Sequence, residues 1–178
     1  MNTPDQRFAA CFPITEASEG WHIFSQNIHD PGGATWSGMT QRAYDGYRRL
    51  KDSSLQDVRK ATDDEIRDCF RHQYWDAVRG DELPAGVDLE MYDDAINAGP
   101  VEAIRVLQEA LGVAVDGQFG LETFDALRQR TGTRGLIATI AAERVSFWRS
   151  LRTWRWFGKG WLARGQGVKI AALAMVGT

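Results

Sequence analysis

The stretch Thr62 to Gly80, TDDEIRDCFRHQYWDAVRG, decides the fold. Thr62 and Glu65 stand three residues apart, the spacing of a capping box, in which a hydroxyl and a carboxylate each satisfy a backbone N–H that the first helical turn leaves without a partner. Behind them Ile66, Cys69, Phe70, Tyr74, Ala77 and Val78 recur at helical intervals as one broad apolar face, ending near Gly80. Further on, Pro84 opens a helix through Val87, Met91, Ala95 and Ile96 to Gly99-Pro100, with Gly past one helix end and Pro at the start of the next. Val101, Ile104, Leu107 and Leu111 form another face, stopped by Gly112. A turn at Asp116-Gly117 and a breaker at Gly120 precede a short helix with Phe124 and Leu127. After Gly135 a longer helix runs through Ile137, Ile140, Ala141, Val145, Trp148 and Leu151, with Arg144, Arg149, Arg152 and Arg155 directed outward. A last amphipathic segment spans Trp161 to Met175.

Toward the N-terminus the same period appears at Met39, Ala43, Tyr47 and Leu50. Residues 5–19 read as a helical region with Phe8, Cys11, Phe12 and Ile14 near one face, broken or restarted at Pro13, and with Glu19 at its end before Gly20. Between these helices Trp21 to Gly38 is rich in β-formers and turn residues, and Asp30-Pro31-Gly32-Gly33 has the chemistry of a tight turn. The expectation is an all-α fold of about eight helices, with a small loop or β-ribbon lobe after the first.

The chain has 178 residues, 43% apolar composition and seven tryptophans, enough for a sizeable core and unlike a disordered chain. Its net charge of −3 conceals an asymmetry: Arg134 to Thr178 carries +7 and the remainder −10. A basic end is either a solvated helix face or a contact for an anionic polymer, and no nucleic-acid motif is present. Two cysteines, Cys11 and Cys69, make no disulfide framework, and with three histidines and no metal-binding spacing neither a metal nor another cofactor is expected. The N-terminus lacks the pattern of a secretion signal, and the apolar C-terminal stretch is about half the length of a membrane span.

Within Glu19 to Thr40, EGWHIFSQNIHDPGGATWSGMT, two carboxylates and a threonine follow at i, i+11 and i+16. Two acids brought together by a loop between helices are what glycosidic hydrolysis requires, one protonating the leaving oxygen and the other activating water or attacking the sugar. Asp30 is also the residue type that caps a Pro-Gly turn, and Thr35 either holds water or bonds the turn. Glu16 is a second candidate acid. Trp36, Tyr74 and Trp75 are candidates to stack on sugar faces, against the alternative of core packing.

The run DPGGATWSGMTQRAYDGYRR resembles the signature of glycoside hydrolase family 108, the bacterial and phage N-acetylmuramidases. The likeness continues through Tyr74-Trp75-Asp76, Leu83-Pro84, Asp93 to Gly99 and Trp161 to Arg164. It implies a lysozyme-like fold, with Glu19 in the place of the catalytic acid and Asp30 and Thr35 in a water-activating role. The sequence departs from the pattern where Trp21 stands for the family's second glycine, where Met39 replaces an isoleucine, and in an interval from Glu19 to Asp30 about two residues longer. Pro100 to Arg130 is similar to the predicted peptidoglycan-binding region of these proteins, through Gln108, Leu111-Gly112, Asp116-Gly117, Gly120 and Thr123.

The resemblance implies a peptidoglycan hydrolase cutting the β-1,4 bond between N-acetylmuramic acid and N-acetylglucosamine. Its alternative is a non-catalytic peptidoglycan-binding or secretion-assisting protein of the same fold. It also implies a monomer with peptidoglycan as partner, no nucleic acid and no stable membrane insertion. Such a protein is made in a bacterial cytoplasm, from a bacterial, phage or prophage gene, and acts in the periplasm or at the wall. A catalytic portion, 1–98, would pack as one unit with a helical portion, 99–178, that holds the peptidoglycan-binding region.

Overall fold

The protein, seen in a computed structural model, is described over residues 3–17, 22–25 and 34–177. It divides into two compact units, one of Phe12–Gln73 and the other of Met1–Cys11 with Tyr74–Thr178. Eight α-helices and a three-stranded antiparallel sheet make up the described residues, so the fold is all-α with a small β-lobe after the first helix.

Helix α1 (Pro4–Glu16) runs through Pro13 without breaking. Proline at this position deprives the Ala9 carbonyl of its donor. Both residues are exposed, so the loss falls on the wet side of the helix, and the Ala17 N–H still reaches the Pro13 carbonyl at 3.3 Å.

In the Phe12–Gln73 unit, β1 (Phe24–Ser25), β2 (Thr35–Trp36) and β3 (Met39–Thr40) lie in that order. Trp36 is opposite both Phe24 and Met39, and Thr35 opposite Ser25 and Thr40. Ser37 and Gly38 both have positive φ, 50° and 75°, the backbone of a two-residue hairpin turn whose twist matches its strands. That turn pairs Met39 with Trp36 and places it in β3 rather than on a helix. Helix α2 (Gln41–Leu50) therefore starts later, capped by the Thr40 hydroxyl, which accepts from the Ala43 N–H at 3.2 Å. It buries Tyr44 and Tyr47, while Leu50 is exposed.

Helix α3 (Asp63–Phe70) has the expected capping box: the Thr62 N–H donates to Glu65 Oε2 at 3.0 Å and the Glu65 N–H to Thr62 Oγ1 at 3.2 Å. Thr62→Ala is expected to cost about 1 kcal/mol, measured as a lowered urea midpoint with unchanged slope. Ile66, Cys69 and Phe70 are buried, and Phe70 meets Phe12 edge-on at 6.0 Å. Beyond Phe70 the helix does not continue as α to Gly80: Arg71–Trp75 is a π-helical turn, and Arg79 takes a left-handed φ of 56°.

The second unit is built on α4 (Val87–Ala98), followed by α5 (Pro100–Leu111), α6 (Leu121–Gln129), α7 (Thr133–Ser150) and α8 (Trp154–Met175). Every residue of α4 from Val87 to Ala95 is buried, because α5, α7 and α8 all pack on it. Residues 74–98 group with the C-terminal helices in one compact unit. Gly86 enters α4 with φ +86°, where a Cβ would stand 2.3 Å from the Ala172 carbonyl oxygen. Helix α8 begins at Trp154 instead of Trp161, and Gly165 lets it approach the Trp148 ring, 2.8 Å from where a Cβ would be. No helix among the described residues is long and apolar enough to cross a membrane.

Candidate active site

The β-lobe places the threonine and one tryptophan of the expected site in neighbouring positions. Thr35 and Trp36 are adjacent on the central strand, both half-buried. The Trp36 ring stacks against His22 at 5.8 Å with an 18° interplanar angle. His22 is fixed twice more: its N–H donates to Ser37 Oγ at 2.8 Å, and its Nε2 lies 3.0 Å from Asp63 Oδ1 at the start of α3. The Ser37 N–H donates to the Ile23 carbonyl at 3.2 Å and the Gln41 N–H to the Ala34 carbonyl at 2.7 Å. Glu19, Asp30 and Trp21 lie outside the described residues.

Behind the lobe, the later part of the DPGGATWSGMTQRAYDGYRR run serves architecture. Gln41 donates to Asp45 at 2.7 Å and to the Gln56 carbonyl at 2.8 Å, and its Oε1 accepts from the Val58 N–H at 2.7 Å. Tyr44 donates to Glu65 at 2.9 Å, Tyr47 to Asp68 at 2.8 Å, and Arg48 pairs with Glu65. Burial works to raise the Glu65 carboxyl, but the Thr62 N–H, the Tyr44 hydroxyl and Arg48 together hold it below the usual range. Burial, with Asp68 beside it, pushes the Tyr47 phenol up. Glu65 is therefore a carboxylate that ties α2 to α3, with its acceptor capacity already used.

Tyr74 and Trp75, the other aromatic candidates, differ in burial. Tyr74 is half-buried and belongs to the other compact unit. Trp75 is 0% exposed: Phe8 and Tyr92 meet its ring edge-on at 5.4 and 5.8 Å, and its indole N–H donates to Asp81 Oδ1 at 2.7 Å. It is packed in the core of this unit.

A charged cluster lies in the same unit as Trp75, where the spacing points outward. Arg144 is 1% exposed. Its Nη1 donates to Glu90 at 2.8 Å and its Nη2 to Asp93 at 2.7 Å, while Nε stands 3.0 Å from Asp94 Oδ1 without hydrogen-bonding alignment. Arg164 adds bonds to Asp93 at 2.9 and 3.1 Å. Burial pushes the Glu90 carboxyl up to about 7, with Arg144 pulling the other way and Asp93 and Asp94 adding to the rise. In the fold Glu90 stays protonated where an unfolded glutamate ionises, so its contribution is full below about pH 4.5 and is lost as pH rises to about 7. The difference in unfolding free energy between wild type and Glu90→Gln is expected to change across that window and be flat on either side. Arg149 and Lys169 line the adjoining groove together with Glu90.

Comparison with known proteins accounts for both halves of the chain. The family model for glycosyl hydrolase 108 matches residues 12–99, and that for a predicted peptidoglycan domain matches 102–166. Among solved structures, that of Brucella abortus SagA is 34% identical, with 96% of each chain covered and a TM-score of 0.80. The chain belongs to the glycosyl hydrolase 108 family. No curated protein matches it. It is thus a lysozyme-like, peptidoglycan-active member of a glycoside hydrolase family. In the region matched to the peptidoglycan domain, Gln108 serves architecture. Buried, it shares its Nε2 among Asp116 at 2.7 Å, the Gln118 carbonyl at 3.0 Å and Thr123 at 3.1 Å, and accepts from the Gly117 N–H at 2.8 Å. The residues that identify this region hold its α5–α6 turn.

Proposed function

We propose that the protein hydrolyses the β-1,4 bond between N-acetylmuramic acid and N-acetylglucosamine, with Glu19 as general acid. The observation that supports this most is the join between family and frame: the glycosyl hydrolase 108 match begins at residue 12 and covers Glu19, Asp30 and Thr35, and Thr35 sits on the central strand of the lobe. Glu19 donates its proton to the departing glycosidic oxygen. Asp30 and Thr35 hold or activate the water, and Trp36, half-buried on the same strand, stacks on a sugar face. A carboxylate separation of about 6.5–9.5 Å would leave room for an inverting water, and about 5 Å would place the second acid as a nucleophile. Peptidoglycan is the partner, met at the periplasmic wall.

A second reading, a wall-binding or secretion-assisting protein without efficient hydrolysis, is favoured by Trp21 in the place of a glycine beside the acid and by the longer interval from Glu19 to Asp30. Incubating the protein with purified sacculi and measuring new reducing ends separates the two. Release by wild type that Glu19→Gln abolishes is the expected result. Equal release from both proteins overturns the role of Glu19, and sedimentation with sacculi without any release supports the binding reading.

A further inference from the structure

The groove between α7 and α8 is lined by a buried carboxyl group with one oxygen left without a hydrogen-bond partner. It has a volume of about 350 Å³, within the range of small-molecule sites. Small side chains on α7, Ala138, Ala141 and Ala142, and Gly165 on α8 keep it open, and Arg149 and Lys169 line it. Glu90 also lines it, 0% exposed, with Oε2 on Arg144 and with no hydrogen-bond partner for Oε1 among the described residues. Three carboxylates, Glu90, Asp93 and Asp94, share two guanidiniums, Arg144 and Arg164, so full ionisation leaves the cluster one positive charge short.

A buried carboxylate oxygen without a donor is costly, and the group that would answer it is a cation with N–H donors. A simple cation would meet Arg149 and Lys169 on its way in, and a simple anion would leave Glu90 Oε1 as it stands. A sugar would lack a stacking platform, because Trp148, the one aromatic residue lining the groove, is 1% exposed. A ligand carrying both charges answers every one of these groups. We propose that the groove binds a zwitterionic amino-acid group, its ammonium donating to Glu90 Oε1 and its carboxylate held by Lys169 and Arg149. Resting on the peptidoglycan reading, this names the part of the polymer recognised: the diamino acid of the stem peptide, while the glycan is left to the β-lobe.

The test titrates the full-length protein with meso-diaminopimelate by calorimetry, beside pimelate, which lacks the ammonium groups, and 1,5-diaminopentane, which lacks the carboxylates. Saturable binding of meso-diaminopimelate is expected, weakened at least tenfold in Glu90→Gln and in Lys169→Ala, with both analogues at least tenfold weaker on wild type. Ala141→Leu fills the groove without changing charge and is expected to abolish binding, so it and Lys169→Ala decide the matter if Glu90→Gln does not fold. Absence of saturable binding to wild type, equal affinity in the folded variants, or equal binding of pimelate overturns the proposal. Sacculi supply the second arm. If wild type binds or cleaves sacculi but not meso-diaminopimelate, the groove assignment falls and the peptidoglycan reading stands; if it binds meso-diaminopimelate but neither binds nor cleaves sacculi, the reverse holds.

Discussion

Arg144→Met should lower the stability of the protein by about 3–5 kcal/mol, the cost of removing one partner from a buried ion cluster. Methionine replaces the apolar stem but supplies no charge, and Glu90, Asp93 and Asp94, each 0–1% exposed, are left with Arg164 alone on the outer side of Asp93. The carboxyls respond by taking up protons, so the deficit shrinks as pH falls. Urea unfolding at pH 5 and pH 8 measures both effects. Combining Arg144→Met with Glu90→Gln and Asp94→Asn should recover much of the loss, since residues in one network do not add independently. A single variant within 1 kcal/mol of wild type at pH 8 would show that the cluster contributes little to the fold.

Glu19→Gln should slow the release of reducing ends by about 100- to 10,000-fold, the range supplied by a positioned general acid, equivalent to about 3–5 kcal/mol of barrier. Glutamine keeps the size of the side chain and its hydrogen bonding but has no proton to transfer to the leaving oxygen. Glu16→Gln is the control: Glu16 is the last residue of α1, half-buried, and its replacement should leave the rate within about twofold if Glu19 is the acid. The opposite pattern would move the acid to Glu16. Thr35→Val, which removes the hydroxyl at nearly constant volume, tests the water-holding role through a fall in kcat without a change in sedimentation with sacculi.

Signals that act within one turn of chain were readable in the residues themselves. The capping box of Thr62 and Glu65, the stop at Gly112 and the break at Gly99-Pro100 each involve groups at most a few positions apart, and each stands where expected. The β-lobe was legible from its β-formers, while the expected Asp30-Pro31-Gly32-Gly33 turn lies outside the described residues and the start of α2 was not legible. Met39 continues a helical period with Ala43 and Tyr47, and only its pairing with Trp36 across the Ser37-Gly38 turn assigns it to a strand. Pro13 misleads in the other direction, because the usual cost of proline within a helix is softened where the orphaned carbonyl is on an exposed face.

What the residues by themselves determined is the class of the chain: an all-α fold interrupted by one β-lobe, in a family whose motif is contiguous and therefore visible. What only the tertiary structure decided is which charges and rings face inward. Helix α4 has the acidic composition of a surface helix, and α7 the spacing of a solvated basic one, yet Arg144 reaches Glu90 and Asp93 across 54 and 51 residues, and Arg164 reaches Asp93 across 71. Trp75 looks like a sugar platform beside Tyr74 until Phe8 and Tyr92 close on its ring. The physical reason is one of range. Caps, turns and periodicity are settled by neighbours along the chain, whereas a buried charge is tolerated only beside its counter-charge, and that partner is brought to it by the packing of distant helices.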